Sequence, residues 1–238
     1  MRLRRPAPLG VIALTACIEA TAHAQGIGAG SAVGPQARSV DVSGTLAWVG
    51  GRALGSQNAG LTPNAVGDTT PFVLFKTDSR LEASFGYGVR LGFNLTRVIA
   101  AEAGFMRSRP SMRIKITDDA EGATATVISG ERQSQYFLDA GVVVHLTGLR
   151  FGRRFVPYAA AGVGQARQLY GDAVLLERGR TSHAGGGVKF FARSRSSGFL
   201  RDMGVRSDLR AYVQSRRLDF SNKTRVTVVA TVGGFMAF

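Results

Sequence analysis

The chain has 238 residues, with 30 Lys and Arg against 16 Asp and Glu, giving a formal charge of +14. Its 31 Gly, 7 Pro and 45% hydrophobic residues fit neither a helical membrane protein nor a disordered chain. The basic residues are spread along the chain rather than gathered in a basic helix or a block with interleaved aromatics, which argues against a nucleic-acid partner.

The first residues read as an export signal. Arg2, Arg4 and Arg5 precede an apolar stretch over residues 7–18, and Ala22-His23-Ala24 is a small-x-small cleavage pattern before Gln25. The apolar stretch is too short to cross a bilayer as a helix, which takes about 20 residues. Leu14-Thr15-Ala16-Cys17 also matches the pattern after which a cysteine is lipidated. Both processing routes mean export. Cleavage after Ala24 is favoured if the segments that follow cross a membrane by themselves, because an acyl anchor would then add little. It leaves 27 basic and 15 acidic residues and removes the single cysteine, so no thiol, disulfide or Cys metal ligand is expected.

Residues 25–39 are rich in Gly, Ala and Ser without a period, and predict a flexible lead-in. From residue 40 onward, short segments alternate apolar with small or polar residues, the two-residue period of a strand. The clearest is 81–94. Its apolar face carries Leu81, Ala83, Phe85, Tyr87, Val89, Leu91 and Phe93, and its other face carries Glu82, Ser84, Gly86, Gly88, Arg90, Gly92 and Asn94. The run length, the aromatics near both ends and the glycines on the polar face suit a membrane-crossing barrel strand of about 9–11 residues. The same pattern predicts strands at 40–52, 98–116, 130–146, 156–170, 181–193, 204–218 and 225–238, eight in all. Residues 71–76, with Phe72 to Phe75, could extend a strand above the membrane or raise the count to ten. Connections at 55–79, 117–129 and 171–180 are long and suit outer loops. Those at 95–97, 147–155 and 194–203 suit the periplasmic side.

These features resemble the small outer-membrane β-barrels of the OmpA-like N-terminal and OmpX type. The resemblance rests on the export signal, the alternating strands and terminal Phe238. It also rests on the segments Pro157-Tyr158-Ala159-Ala160-Ala161-Gly162-Val163-Gly164, Gly185-Gly186-Gly187-Val188-Lys189 and Gly204-Val205-Arg206-Ser207-Asp208-Leu209-Arg210-Ala211-Tyr212. It covers essentially the whole chain after residue 24 and implies an all-β, antiparallel up-and-down barrel, over residues 40–238, in a bacterial outer membrane. It further implies that Phe238, closing the apolar face of the last strand, is the signal read by the barrel-assembly machinery. A monomer is expected.

Threading the alternation through a barrel places charges of both signs inside: Asp41, Glu82, Arg90, Glu102, Asp139, His145, Lys189, Arg206, Asp208 and Arg210. Unpaired charges in a narrow lumen are costly, so a paired, hydrogen-bonded network is expected. It can serve as a structural plug that fixes register or as the lining of a gated ion path. Catalysis needs a nucleophile within reach of a base. The candidates are His145 with Thr147 and His183 with Ser182, and neither forms a motif of the small barrel enzymes that modify lipid A. No metal spacing, phosphate loop or dinucleotide fingerprint occurs, so no cofactor or metal is expected. Arg107, Arg109, Arg113, Lys115, Arg132, Arg178 and Arg180, with Arg216, Arg217, Lys223 and Arg225, gather toward the outer strand ends. There they can meet the phosphates of lipopolysaccharide or simply solubilise loops. The leading expectation is a non-enzymatic barrel with an envelope-structural or surface-interaction role. A narrow channel is the alternative, and a lipid A-modifying enzyme or a soluble lipocalin-like binder with an apolar interior stands behind it.

Overall fold

A computed structural model describes residues 33–61, 72–117, 126–149, 152, 154–170, 175–195, 198–214 and 225–238. The expected leader, Cys17, Arg216, Arg217 and Lys223 lie outside the described residues.

Twelve strands are described: β1 (Ser39–Val49), β2 (Arg52–Leu61), β3 (Phe72–Leu81), β4 (Ser84–Asn94), β5 (Ile99–Ser108), β6 (Ser111–Thr117), β7 (Thr126–Arg132), β8 (Ser134–His145), β9 (Phe155–Tyr170), β10 (Leu175–Ser194), β11 (Asp202–Gln214) and β12 (Arg225–Ala237). Eight of them, β1, β4, β5, β8, β9, β10, β11 and β12, form a closed antiparallel barrel in which each strand pairs with the next along the chain. β1 closes it by pairing with β12 on one side and β4 on the other. Phe238 extends the closure, donating its N–H to Val40 O at 2.8 Å and accepting from Val40 N at 3.2 Å. The fold is the eight-stranded up-and-down barrel that the alternation predicts.

The remaining four strands make a second sheet in the order β2-β3-β6-β7. This corrects the sequence reading, which assigns loops to most of 55–79 and 117–129. Residues 72–76 add a strand to this sheet, not a ninth or tenth to the barrel. The second sheet continues one wall of the first, because β1, β4, β5 and β8 lead directly into β2, β3, β6 and β7. The joints have local causes. At Gly51 a Cβ would lie 2.8 Å from the Leu81 carbonyl, so only glycine passes. Pro110 has no N–H for the ladder, and its carbonyl instead accepts from Gln133 N at 2.9 Å. The expected strand at 98–116 is accordingly two strands, β5 and β6.

At the opposite end the connections are compact. Thr96 Oγ1 accepts from Val98 N and Ile99 N at 3.1 and 2.9 Å, which folds the β4–β5 hairpin tightly. A 3-10 turn, Thr147–Leu149, joins β8 to β9. The last part of the expected lead-in is anchored here: Arg38 N donates to Asn94 O at 2.7 Å, and Val33 packs on Val156, Phe191 and Phe235.

Alternation sorts the side chains. In β1, Ser39, Asp41, Ser43, Thr45, Ala47 and Val49 are buried inside while the intervening residues are exposed. The outward faces carry exposed large apolar residues in seven of the eight barrel strands, among them Phe85 at 82% exposure and Val163 at 67%, while β10 turns outward Ser182, Ala184, Gly186 and the half-buried Val188 and Phe190. The inward faces hold most of the charges. An apolar-filled barrel with a polar surface, the lipocalin-like alternative, is the reverse of this arrangement.

Candidate functional site: a charge network across the lumen

Every inward position in a narrow barrel competes for volume, and the sequence meets this by alternating large ionic side chains with glycine. A Cβ on Gly104 would lie 2.9 Å from both Arg90 Nη1 and Asp139 Oδ1, and one on Gly92 would lie 2.7 Å from Asp41 Oδ1. These glycines make the space that the ion pairs occupy.

The centre of the network is Glu102 on β5. Its Oε1 accepts from Arg90 Nη1 at 3.0 Å and from Arg210 Nη2 at 2.6 Å, and its Oε2 accepts from Arg206 Nη1 at 2.8 Å. Two aspartates complete the shell. Asp139 accepts from Arg90 Nη1 at 3.2 Å, and Asp208 accepts from Arg210 Nε at 2.8 Å and from Arg206 Nη2 at 3.4 Å. Three guanidinium groups thus face three carboxylates, all buried. Two tyrosines bridge the signs. Tyr212 accepts from Arg90 and donates to Asp139 at 2.9 Å; Tyr158 accepts from Arg206 and donates to Asp208 at 3.0 Å. Thr231 donates to Asp208 at 2.9 Å. The space beside Glu102, Asp139, His183 and Arg210 admits no water molecule.

A second pair lies nearer the hairpin-turn end. Lys189 Nζ donates to Asp41 Oδ2 at 2.9 Å and sits 5.3 Å from the Phe235 ring centre. Asn94 donates to Ser39 Oγ at 2.9 Å, and its Oδ1 lies 3.3 Å from His145 Nε2. On the sheet-bearing side the network is capped by an apolar layer of Ala47, Val49, Met106, Phe137, Ala166 and Val229. Gln135 and Gln168 stand one inward position beyond Phe137 and Ala166.

Of the sequence-predicted lumen residues, Arg90, Glu102, Asp139, Arg206, Asp208 and Arg210 come together, and Lys189, Asp41 and His145 form the neighbouring group. Glu82 does not belong. It lies between β3 and β4, exposed, with its Oε1 3.5 Å from Arg113 Nη1. The strand break beside it defeats the counting of alternate residues. Tyr158, Tyr212, Asn94 and Thr231 are network members that a reading for charged residues passes over, although the alternation already places them inward. The candidate nucleophile–base pairs are not brought together: His183 is buried and accepts from Arg210, whereas Ser182 is exposed on the outer face. Thr147 sits in the 3-10 turn while His145 bonds Asn94.

The outer face has its own pattern. Trp48, Phe85, Tyr87 and Tyr136 stand near the sheet-bearing end, and Phe93, Phe155, Phe190 and Phe199 near the turns, where Phe199 lies 4.9 Å from Phe238 between ring centres. Apolar side chains fill most of the belt between, with Gln165 and Ser182 interrupting it on β9 and β10. Arg225 is not an outer-surface cation, since it donates to Leu54 O and ties β12 to β2.

No family model and no curated protein matches the chain. Among solved structures, it is similar to the N-terminal β-barrel domain of OprF from Pseudomonas aeruginosa, at 13% identity over 86% of this chain and 100% of that one, with a TM-score of 0.41. It is similar to the outer membrane protein OprG of the same organism, at 13% identity over 86% and 98%, with a TM-score of 0.46. It is also similar to Ail, the attachment invasion locus protein of Yersinia pestis, at 12% identity over 83% and 98%, with a TM-score of 0.36.

Proposed function

We propose that this chain is a monomeric, non-enzymatic integral protein of a bacterial outer membrane, with an envelope-structural or surface-interaction role and contacts to lipopolysaccharide. The observation that carries the reading is the inverted distribution of polarity: exposed large apolar side chains outside on seven of the eight barrel strands, neutralised charges inside. Soluble proteins rarely expose an apolar patch beyond about 300–600 Å². A belt that encircles a closed barrel, edged by aromatics at both ends, is suited to hydrocarbon, which tolerates only structures whose backbone bonds are internally satisfied. The compact turns then face the periplasm and the second sheet stands outside. Phe238 would serve the assembly machinery as the last outward member of the strand that closes the barrel.

The filled lumen favours a plug over an open pore. Planar-bilayer recording tests this: the wild-type barrel is expected to pass no steady current, and a continuously open conductance would contradict the reading. A second reading, a gated ion path, is favoured by the sharing of Glu102 among three arginines, because such a carboxylate can exchange partners without leaving any charge unpaired. It is expected to give brief openings that become more frequent in Glu102→Gln.

A further inference from the structure

The strand register lines up one outward row near the sheet-bearing end. Tyr87 pairs with Arg107, Arg107 with Tyr136, Tyr136 with Arg167, and Arg167 with Arg178. Arg107 donates to the Tyr87 hydroxyl at 3.4 Å and lies 5.4 Å from the Tyr136 ring centre. Its Nε has no partner among the described residues. Arg167 and Arg178 stand directly opposite each other, an arrangement of like charges that destabilises a strand pair. No carboxylate stands in the row to offset them. Two residues farther from the sheet, β4, β5 and β8 present Val89, Phe105 and Leu138, while β9 and β10 present Gln165 and Arg180, so Arg107 lies on the rim of the apolar belt and Arg167 and Arg178 stand one polar row above it.

Beside the row, on the same side of the barrel, is a shallow, open depression of the outer surface bordered by Leu46, Tyr87 and Val232, with Gly44 and Gly234 in its floor. These two glycines pair directly. They differ from the lumen glycines, for a Cβ on Gly44 would meet nothing within 4 Å. Glycine here leaves space open rather than making space for a neighbour. Tyr87 belongs to both features. The floor of the depression lies roughly 7 Å farther from the sheet than Tyr87, and β1 is two strands, or about 10 Å, from β5.

We propose that this side of the barrel holds one molecule of lipid A, the phosphorylated, multiply acylated glycolipid of lipopolysaccharide. One phosphate sits over Tyr136, bridging Arg107 on one side of it and Arg167 on the other, and one acyl chain lies over Gly44 and Gly234. The proposal rests on the outer-membrane reading and deepens it. A phosphate at Arg167 relieves the repulsion from Arg178 and supplies the acceptor that the Arg107 Nε lacks. Guanidinium suits it because two parallel N–H groups match two phosphate oxygens. The lateral separation of clasp and depression selects a wide, multi-chain lipid over a two-chain phospholipid.

The test uses the full chain, produced in the outer membrane of a Gram-negative host and extracted in mild detergent. Native mass spectrometry then measures binding of added lipid A. Arg107→Gln/Arg167→Gln is expected to weaken lipid A about tenfold or more. Gly44→Leu, which fills the depression without touching the lumen, is expected to weaken it several-fold. Arg113→Gln, whose guanidinium already faces Glu82, is expected to change nothing. Phosphatidylglycerol and dephosphorylated lipid A should bind the wild type no better than lipid A binds the double variant. Unchanged lipid A binding in the double variant overturns the clasp, unchanged binding in Gly44→Leu overturns the acyl contact, and equal binding of phosphatidylglycerol overturns the choice of lipid. A wild-type chain that never enters the outer membrane overturns the location reading together with this one. A membrane-inserted barrel that ignores these substitutions overturns this one alone.

Discussion

Glu102→Gln is the substitution on which the lumen network is most exposed to refutation. The wild-type carboxylate accepts from Arg90, Arg206 and Arg210 at 3.0, 2.8 and 2.6 Å, and the Arg206 side chain has no solvent exposure. The amide keeps the shape, removes the charge and turns N–H groups toward guanidinium donors. Three buried cations then face only Asp139 and Asp208. Removing one partner from a buried ion pair costs about 3–5 kcal/mol, because the other charge stays desolvated and uncompensated. A loss of that size is expected in urea unfolding of the detergent-folded barrel, followed by the fluorescence of Trp48, the single tryptophan. Glu102→Gln/Arg210→Gln restores the balance at two against two. Its loss is expected to fall at least about 1.5 kcal/mol short of the sum of the single losses, the mark of residues in one network. A Glu102→Gln barrel within about 0.5 kcal/mol of wild type would refute the reasoning, since that is the range of an uncoupled surface change.

Three further outcomes follow from the same structure. Lys189→Met strands Asp41 and is expected to cost about 3 kcal/mol in the same unfolding assay, with Asp41→Asn recovering part of the loss. Gly104→Ala drives a methyl into the Arg90–Asp139 pair and is expected to cost about 1–3 kcal/mol; a neutral result would mean that the pair has room to move. Leu209→Arg puts a charge on the exposed middle of β11 and is expected to cost about 2–4 kcal/mol in lipid, whereas in a soluble barrel it would be harmless, so refolding into vesicles separates the two cases.

The barrel is legible in the sequence because its outer and inner faces carry opposite polarity on alternate residues, and strands such as 225–238 keep that alternation without interruption. The second sheet is not legible. Beyond the buried Arg52, Leu54 and Leu81 at the joint, the described residues of its strands lie exposed or half-exposed, so Arg52–Leu61 and Thr126–Arg132 carry little alternation and read as polar loops. The breaks at Gly50-Gly51 and Arg109-Pro110 are visible as residues, but nothing local says that the chain resumes as a strand beyond them. Glu82 is misplaced for the same reason, since parity counted from Arg90 cannot be carried across residues 82–83. In the lumen the charged members could be read from parity, while the bridging roles of Tyr158 and Tyr212 depend on which strands meet across the interior. Arg167 lies within a long strand, and only the register shows that it faces Arg178 and flanks Tyr136.

The central claim is that the apolar belt faces lipid, and one combined measurement meets it most directly: fractionation of cells expressing the full chain, followed by gel electrophoresis with and without boiling. The expected result is a chain in the outer-membrane fraction that needs detergent for extraction and migrates differently before and after heating, as a closed barrel and its unfolded chain should. A chain released without detergent, with mobility unchanged by boiling, would contradict the account.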